Sequence, residues 1–155
     1  MSQRAKRHLP TLLIVLVCTA FAPAGTTASQ ATEAVAAAPA LEAEVVEAVN
    51  DSRRDAGLAP VEASGELTGV ARHHSAAMAG AGVLHHDPAL GAVIADWSRL
   101  GENVGRGREA TAVHDAFLAS PTHAANVFEP AYDEVGVGVV VADGEVWVTT
   151  VYRTR

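Results

Sequence analysis

From residue 41 onward the apolar positions of this chain recur first with the period of a helix and later with the period of a strand. Leu41, Val45, Ala48, Val49 and Ser52 fall at steps of three and four, while Glu42, Glu44, Glu47 and Asp51 take the other side. This spacing predicts a first helix, with Gly57 as its C-terminal stop. Leu58, Pro60 and Val61 make an extended link. Ser64 then reads as the N-cap of a second helix reaching about Ala79, with Leu67, Val70, Ala71, His74 and Met78 on its apolar face. A histidine on such a face is expected to be a hydrogen-bonded core residue, whereas His73 points to solvent. Residues 80 to 100 are less regular: Asp87-Pro88 marks a turn or helix start, and Leu90, Val93, Ile94 and Trp97 suit a short helix. A third helix is predicted from about Glu109 to Ala119, burying Ala110, Val113, Phe117 and Ala116. Ser120 then reads as the cap of a short helix that has Pro121 at its first position and carries His123 and Asn126.

The end of the chain switches to a period of two. Val135, Val137, Val139 and Val141 alternate with Gly136, Gly138, Val140 and Ala142, Asp143-Gly144 is a tight-turn signal, and Val146, Val148, Thr150 and Tyr152 continue on a return strand. The glycines leave one face of the first strand open to a closely packed helix. Helices first and strands last, in a chain this short, predict an α/β protein with a small antiparallel sheet covered by helices.

The N-terminus follows different rules. Arg4, Lys6 and Arg7 precede an apolar run from Leu9 to Phe21, and small residues follow; this order reads as a secretory signal peptide over residues 1–28. The run is shorter than the ~20 residues of a spanning helix, so no stable membrane anchor is expected. Residues 29–40 read as a disordered leader and 41–155 as one domain. Removing the first 28 leaves 127 of the 155 residues, enough to bury roughly two thirds of the unfolded surface. Cys18, the only cysteine, leaves with the signal peptide, as does the only lysine, Lys6. No disulfide is therefore available, and stability must come from packing. The formal net charge of −7 becomes −10 without Arg4, Lys6 and Arg7, which argues against nucleic acid and anionic lipid surfaces as partners.

Chemistry concentrates between Gly101 and Val127. Glu102 lies in a glycine-bounded stretch, Gly101-Glu102-Asn103-Val104-Gly105, that reads as a loop, and His123 lies in Ser120-Pro121-Thr122-His123. The helix between them can fold back so that the two face each other. Asn103 and Asn126 are expected to bind backbone groups, Arg53 to pair with a carboxylate, and Trp97 and Trp147 to be core.

With these residues in view, the chain resembles the CAP superfamily of cysteine-rich secretory, antigen 5 and pathogenesis-related 1 proteins, in particular its small bacterial members. The resemblance rests on an ordered set: Asn50 and Arg53 before Gly57-Leu58-Ala59-Pro60; Ala71-Arg72-His73-His74-Ser75; His86 before Asp87-Pro88; Gly101-Glu102-Asn103-Val104; Ser120-Pro121-Thr122-His123 with Asn126-Val127; and Val135-Gly136-Val137-Gly138 with Trp147. It implies an α-β-α sandwich with a cleft lined by two histidines and two acids. On this chain the first histidine falls at His86, or at His85 if the loop is shifted by one, the first acid at Glu102 and the second histidine at His123. Ser120 stands at the place of the second acid. The chain reads as a secreted monomer, and the resemblance further implies that it binds a small apolar ligand such as a lipid or sterol, or an extracellular protein. His86 and His123 form a partial shell for zinc or another divalent cation, too small for a tight site. No cofactor is required and catalysis is not expected. The runner-up is a weak metal-assisted or serine-type hydrolase at the same cleft, disfavoured because helix capping already accounts for Ser120.

Overall fold

A computed structural model of the chain describes residues 36–155, and the expected signal peptide and most of the leader lie outside the described residues. In chain order the elements are β1 (Ala36–Ala37), α1 (Pro39–Asp55), β2 (Glu62–Ala63), α2 (Gly65–Ala81), α3 (Leu90–Val93), β3 (Arg99–Gly107), α4 (Ala110–Ala119), α5 (Pro121–Val127), β4 (Glu134–Ala142) and β5 (Glu145–Thr154). The main sheet order is β1-β4-β5-β3, all antiparallel, and β2 adds a short parallel pairing to β4.

Three layers result from the alternation predicted for the C-terminal hairpin. One face of the sheet presents Val135, Val137, Val139, Val146, Val148 and Tyr152, and packs with Val45 and Val49 of α1, Val113 and Phe117 of α4 and Val127 of α5. The opposite face carries Val151 against Leu67 and Ala71 of α2, and Ala142 and Trp147 against Met78. This is the expected α-β-α sandwich. The hairpin turns through Asp143 and Gly144, both at positive φ, with Ala142 opposite Glu145, as a two-residue turn requires.

Several expectations are corrected. Ala36 and Ala37 pair with Val141 and Val140, and Pro39 starts α1, so ordered structure begins before residue 41. Residues 99–107, read as a loop around Glu102, form the nine-residue strand β3, paired with β5 along its whole length. Glu42, placed on the polar face of α1, is buried: it takes a bidentate bond from Arg72 and accepts from the Val139 amide. A carboxylate can be buried when its lone pairs are filled in this way.

Arg53 is fully buried without the expected carboxylate. Its guanidinium donates to four backbone carbonyls instead: Ala59 at 2.9 Å, Val127 at 2.8 Å, Glu129 at 2.9 Å and Tyr132 at 3.3 Å. Arg153, also buried, donates to Glu134 at 2.5 Å, Glu66 at 3.0 Å and the Ala95 carbonyl at 3.0 Å. Trp147 is core, as expected, and lies beneath the Arg106 guanidinium. Trp97 is not: it is 45% exposed. Ala116, expected in the buried stripe of α4, is exposed, and His114 takes the buried position.

His114 packs between α4 and α1, where its Nε2 lies 2.9 Å from Ser52 Oγ. Ser52 already donates its hydroxyl proton to the Ala48 carbonyl, so Nε2 carries the proton of the neutral ring. Nδ1 is then a buried acceptor without a partner. Burial holds this imidazole below its ordinary pKa, opposed by the charge of Asp115 and by the Ala48 carbonyl. The unfolded chain gains the proton near pH 6.5 and the folded chain only at lower pH, so stability falls as pH drops through that window. His114→Gln should flatten the change in urea midpoint between pH 7 and pH 5.5; an unchanged slope would remove His114 as the cause.

Candidate functional site

Strand β3 sends successive side chains to opposite faces of the sheet, and this separates the residues that the sequence suggested would meet. Glu102 turns toward α2 and is buried. Its Oε2 accepts from His86 Nδ1 at 2.6 Å and from the Asp87 amide at 3.1 Å, and its Oε1 lies 3.7 Å from His74 Nε2. His74 is the buried, hydrogen-bonded core histidine expected: Nε2 donates to the His85 carbonyl at 2.7 Å, and its ring meets that of His85 edge-on at 5.0 Å. His86, not His85, is thus the histidine on Glu102. The His86 side chain is 63% exposed.

Asn103 points to the other face and is fully buried. Its Nδ2 donates to the His123 carbonyl at 3.0 Å, while Asn126 Nδ2 donates to Asn103 Oδ1 at 2.8 Å and to the Glu102 carbonyl at 3.0 Å. These two amides bind backbone, as expected, and also each other, and so fasten α5 across β3. The fastening fixes His123, whose Nδ1 lies 2.9 Å from Ser120 Oγ and whose ring sits 5.3 Å from Phe117. Ser120 occupies the N-cap position of α5 but makes no side-chain cap bond. The capping role expected for its hydroxyl is replaced by the bond to His123.

Beside this pair is a pocket of about 350 Å³ between β3 and α4. Val113 and Phe117 supply its apolar wall, Ala112 and Ala116 its outer rim, Val104, Gly105, Arg106 and Gly107 its β3 side, Leu84 a wall from the loop after α2, and Ser120 and His123 a polar corner. The four expected cleft residues therefore form two pairs, Glu102 with His86 and Ser120 with His123. No hydrogen bond among the described residues joins one pair to the other, so the expected facing of Glu102 and His123 is not found. No group of three or more His, Cys, Asp or Glu side chains is arranged to hold a metal among the described residues, so these side chains alone do not form a closed four-ligand cation site.

The sequence pattern of the Cysteine-rich secretory protein family, CAP, matches residues 46–152, and the chain belongs to that family. The fold is similar to an outer surface protein of Borrelia burgdorferi, with a TM-score of 0.72 at 15% identity over 79% of this chain and 98% of that one. It is also similar to an extracellular SCP-domain protein of Bacillus anthracis, at 0.67 and 21% identity over 76% and 41% of the two chains. A cysteine-rich secretory protein of Staphylococcus aureus gives 0.64 and 18% identity over 76% and 39%. The chain thus spans about two fifths of these last two. At such identities the likeness carries the fold alone. No functionally curated protein matches the sequence significantly, and no helix among the described residues is long and apolar enough to cross a membrane.

The two pairs should respond differently to truncation. Glu102→Ala strips a charged acceptor from His86 and the Asp87 amide and should cost roughly 2 kcal/mol. Ser120→Ala removes no cap and loses only the bond to His123, so it should cost about 1 kcal/mol and no more than that bond is worth. Urea denaturation checks both costs, the second with His123→Ala as background: Ser120→Ala should cost little further there, and an undiminished loss would return the serine to a capping role.

Proposed function

We propose that this protein is a secreted CAP domain that works by binding a small apolar ligand, of the size of a short lipid, in the pocket between β3 and α4. The observation that carries this reading is the composition of that pocket: apolar side chains of Val113, Phe117 and Leu84, with polar groups supplied by Ser120, His123 and Arg106. Such a site gains affinity from apolar burial and orientation from its few polar atoms. The basic and apolar N-terminus of the sequence supports export, as do the extracellular and outer-surface relatives of the fold. The acidic charge supports neither nucleic acid nor anionic membrane as partner. A divalent cation is not part of the proposal, since no three-ligand group supports it.

A serine-type hydrolase is the second reading, and one observation favours it: Ser120 Oγ is within hydrogen-bond reach of His123 and free of a cap bond. Against it, the carboxylate that would orient the base sits on His86. Labelling of Ser120 by a fluorophosphonate, absent in Ser120→Ala and in His123→Ala, would establish the enzyme.

Binding is tested without disturbing the core, because Ala116 lines the pocket yet is exposed on α4. Ala116→Trp should fill the pocket and weaken binding of an apolar fluorophore such as N-phenyl-1-naphthylamine at least tenfold, with an unchanged thermal midpoint. Equal affinity in parent and variant would remove the pocket as the binding site.

A further inference from the structure

The loop of residues 82–89, between α2 and α3, lies against both halves of the divided site. β3 is the terminal strand of the sheet, with Glu102 facing α2 on one side and the pocket facing α4 on the other. The loop touches both: His86 and Asp87 bind Glu102, and Leu84 lines the pocket. It therefore passes over the outer edge of β3. Among the pocket's lining residues Leu84 alone comes from outside β3, α4 and the start of α5.

Apolar burial does little to hold this loop down, since Val83 is 57% and Leu84 41% exposed. Its inward contacts are polar and converge on two buried side chains. Glu102 takes His86 Nδ1 and the Asp87 amide, and His74 Nε2 takes the His85 carbonyl. Where a segment has few apolar contacts, the free energy of its local opening is set by such bonds.

We propose that Glu102 is a positioning residue for the pocket: by fastening residues 85–87 it holds Leu84 as the movable wall, and release of that fastening opens the pocket at the edge of β3. This rests on the apolar-ligand reading of the pocket. It gives Glu102 and His86 work that requires no metal and no contact with the ligand.

The test compares the parent with Glu102→Gln, His86→Ala and Leu84→Ala by amide hydrogen exchange and by stopped-flow binding of N-phenyl-1-naphthylamine. His86 is exposed, so its truncation leaves the fold intact even if Glu102→Gln fails to fold. His86→Ala should speed exchange of the Asp87 amide, which donates to Glu102, about tenfold, with β5 amides unchanged, and should raise probe association and dissociation rates together. Leu84→Ala should raise both probe rates while exchange of the Asp87 amide stays that of the parent, and His86→Ala should add nothing to the probe rates in the double variant. Unchanged exchange in His86→Ala, or faster exchange with probe rates equal to those of the parent, would overturn the gate and leave the pocket reading standing. A parent that takes up no probe would overturn the pocket reading and the gate with it.

Discussion

The close approach of α2 to β4 sets the geometry on which the rest of the domain depends. A Cβ at Gly136 would lie 2.2 Å from a backbone atom of Leu67, and one at Gly138 would lie 2.2 Å from backbone atoms of Ala71 and Arg72. Only hydrogen fits at either position, because what stands in the way is helix backbone rather than a flexible side-chain end. At this distance Ser75 reaches through the layer to the Gly138 carbonyl at 2.9 Å and Thr149 Oγ1 at 2.8 Å. Its neighbour His74 is thereby delivered to the level of the sheet, where it meets the loop after α2 and the carboxylate of Glu102. A helix standing farther off would carry His74 away from both.

The layers and the hairpin were legible in the sequence because their signals are periodic and local. Val135 to Ala142 alternate cleanly, and the helix-spaced stripe through Leu67, Ala71, His74 and Met78 buried each of those residues. β3 was hidden for a physical reason. Its glycines read as punctuation, yet they are there to make room: a Cβ at Gly101 would lie 2.3 Å from the Tyr132 hydroxyl, and one at Gly105 2.7 Å from Val113 and 2.9 Å from Phe117. Glycine that serves packing cannot be told from glycine that serves a turn without the partner element. His114 was missed although its signal was present, since positions 110, 113, 114 and 117 make a complete helical stripe. Within the site the residue types were found, but their pairing was not. Glu102 and His123 are brought to β3 from opposite sides, and only the strand's alternation reveals it.

Without cysteine after residue 18, distant segments are tied by buried ionic groups. Arg53 joins α1 to the carbonyls at 59, 127, 129 and 132, and Arg153 joins β5 to Glu134 of β4, Glu66 of α2 and the Ala95 carbonyl. Each such group costs desolvation and is held only while its partners are complete; removing one partner of a buried pair typically costs 3–5 kcal/mol. Arg53 secures the segment that follows α5, and the Asn103-Asn126 contacts secure α5 itself. Together they keep the Ser120-His123 corner in register with β3.

The outer rim of the pocket is formed by Ala112 and Ala116, which face solvent and contribute nothing to the buried core. Their small size leaves the rim of the pocket low. Substitution at these two positions can therefore reshape the cavity without disturbing the layers beneath. The form of the cavity is uncoupled from foldability, because its rim is set at positions the core does not use.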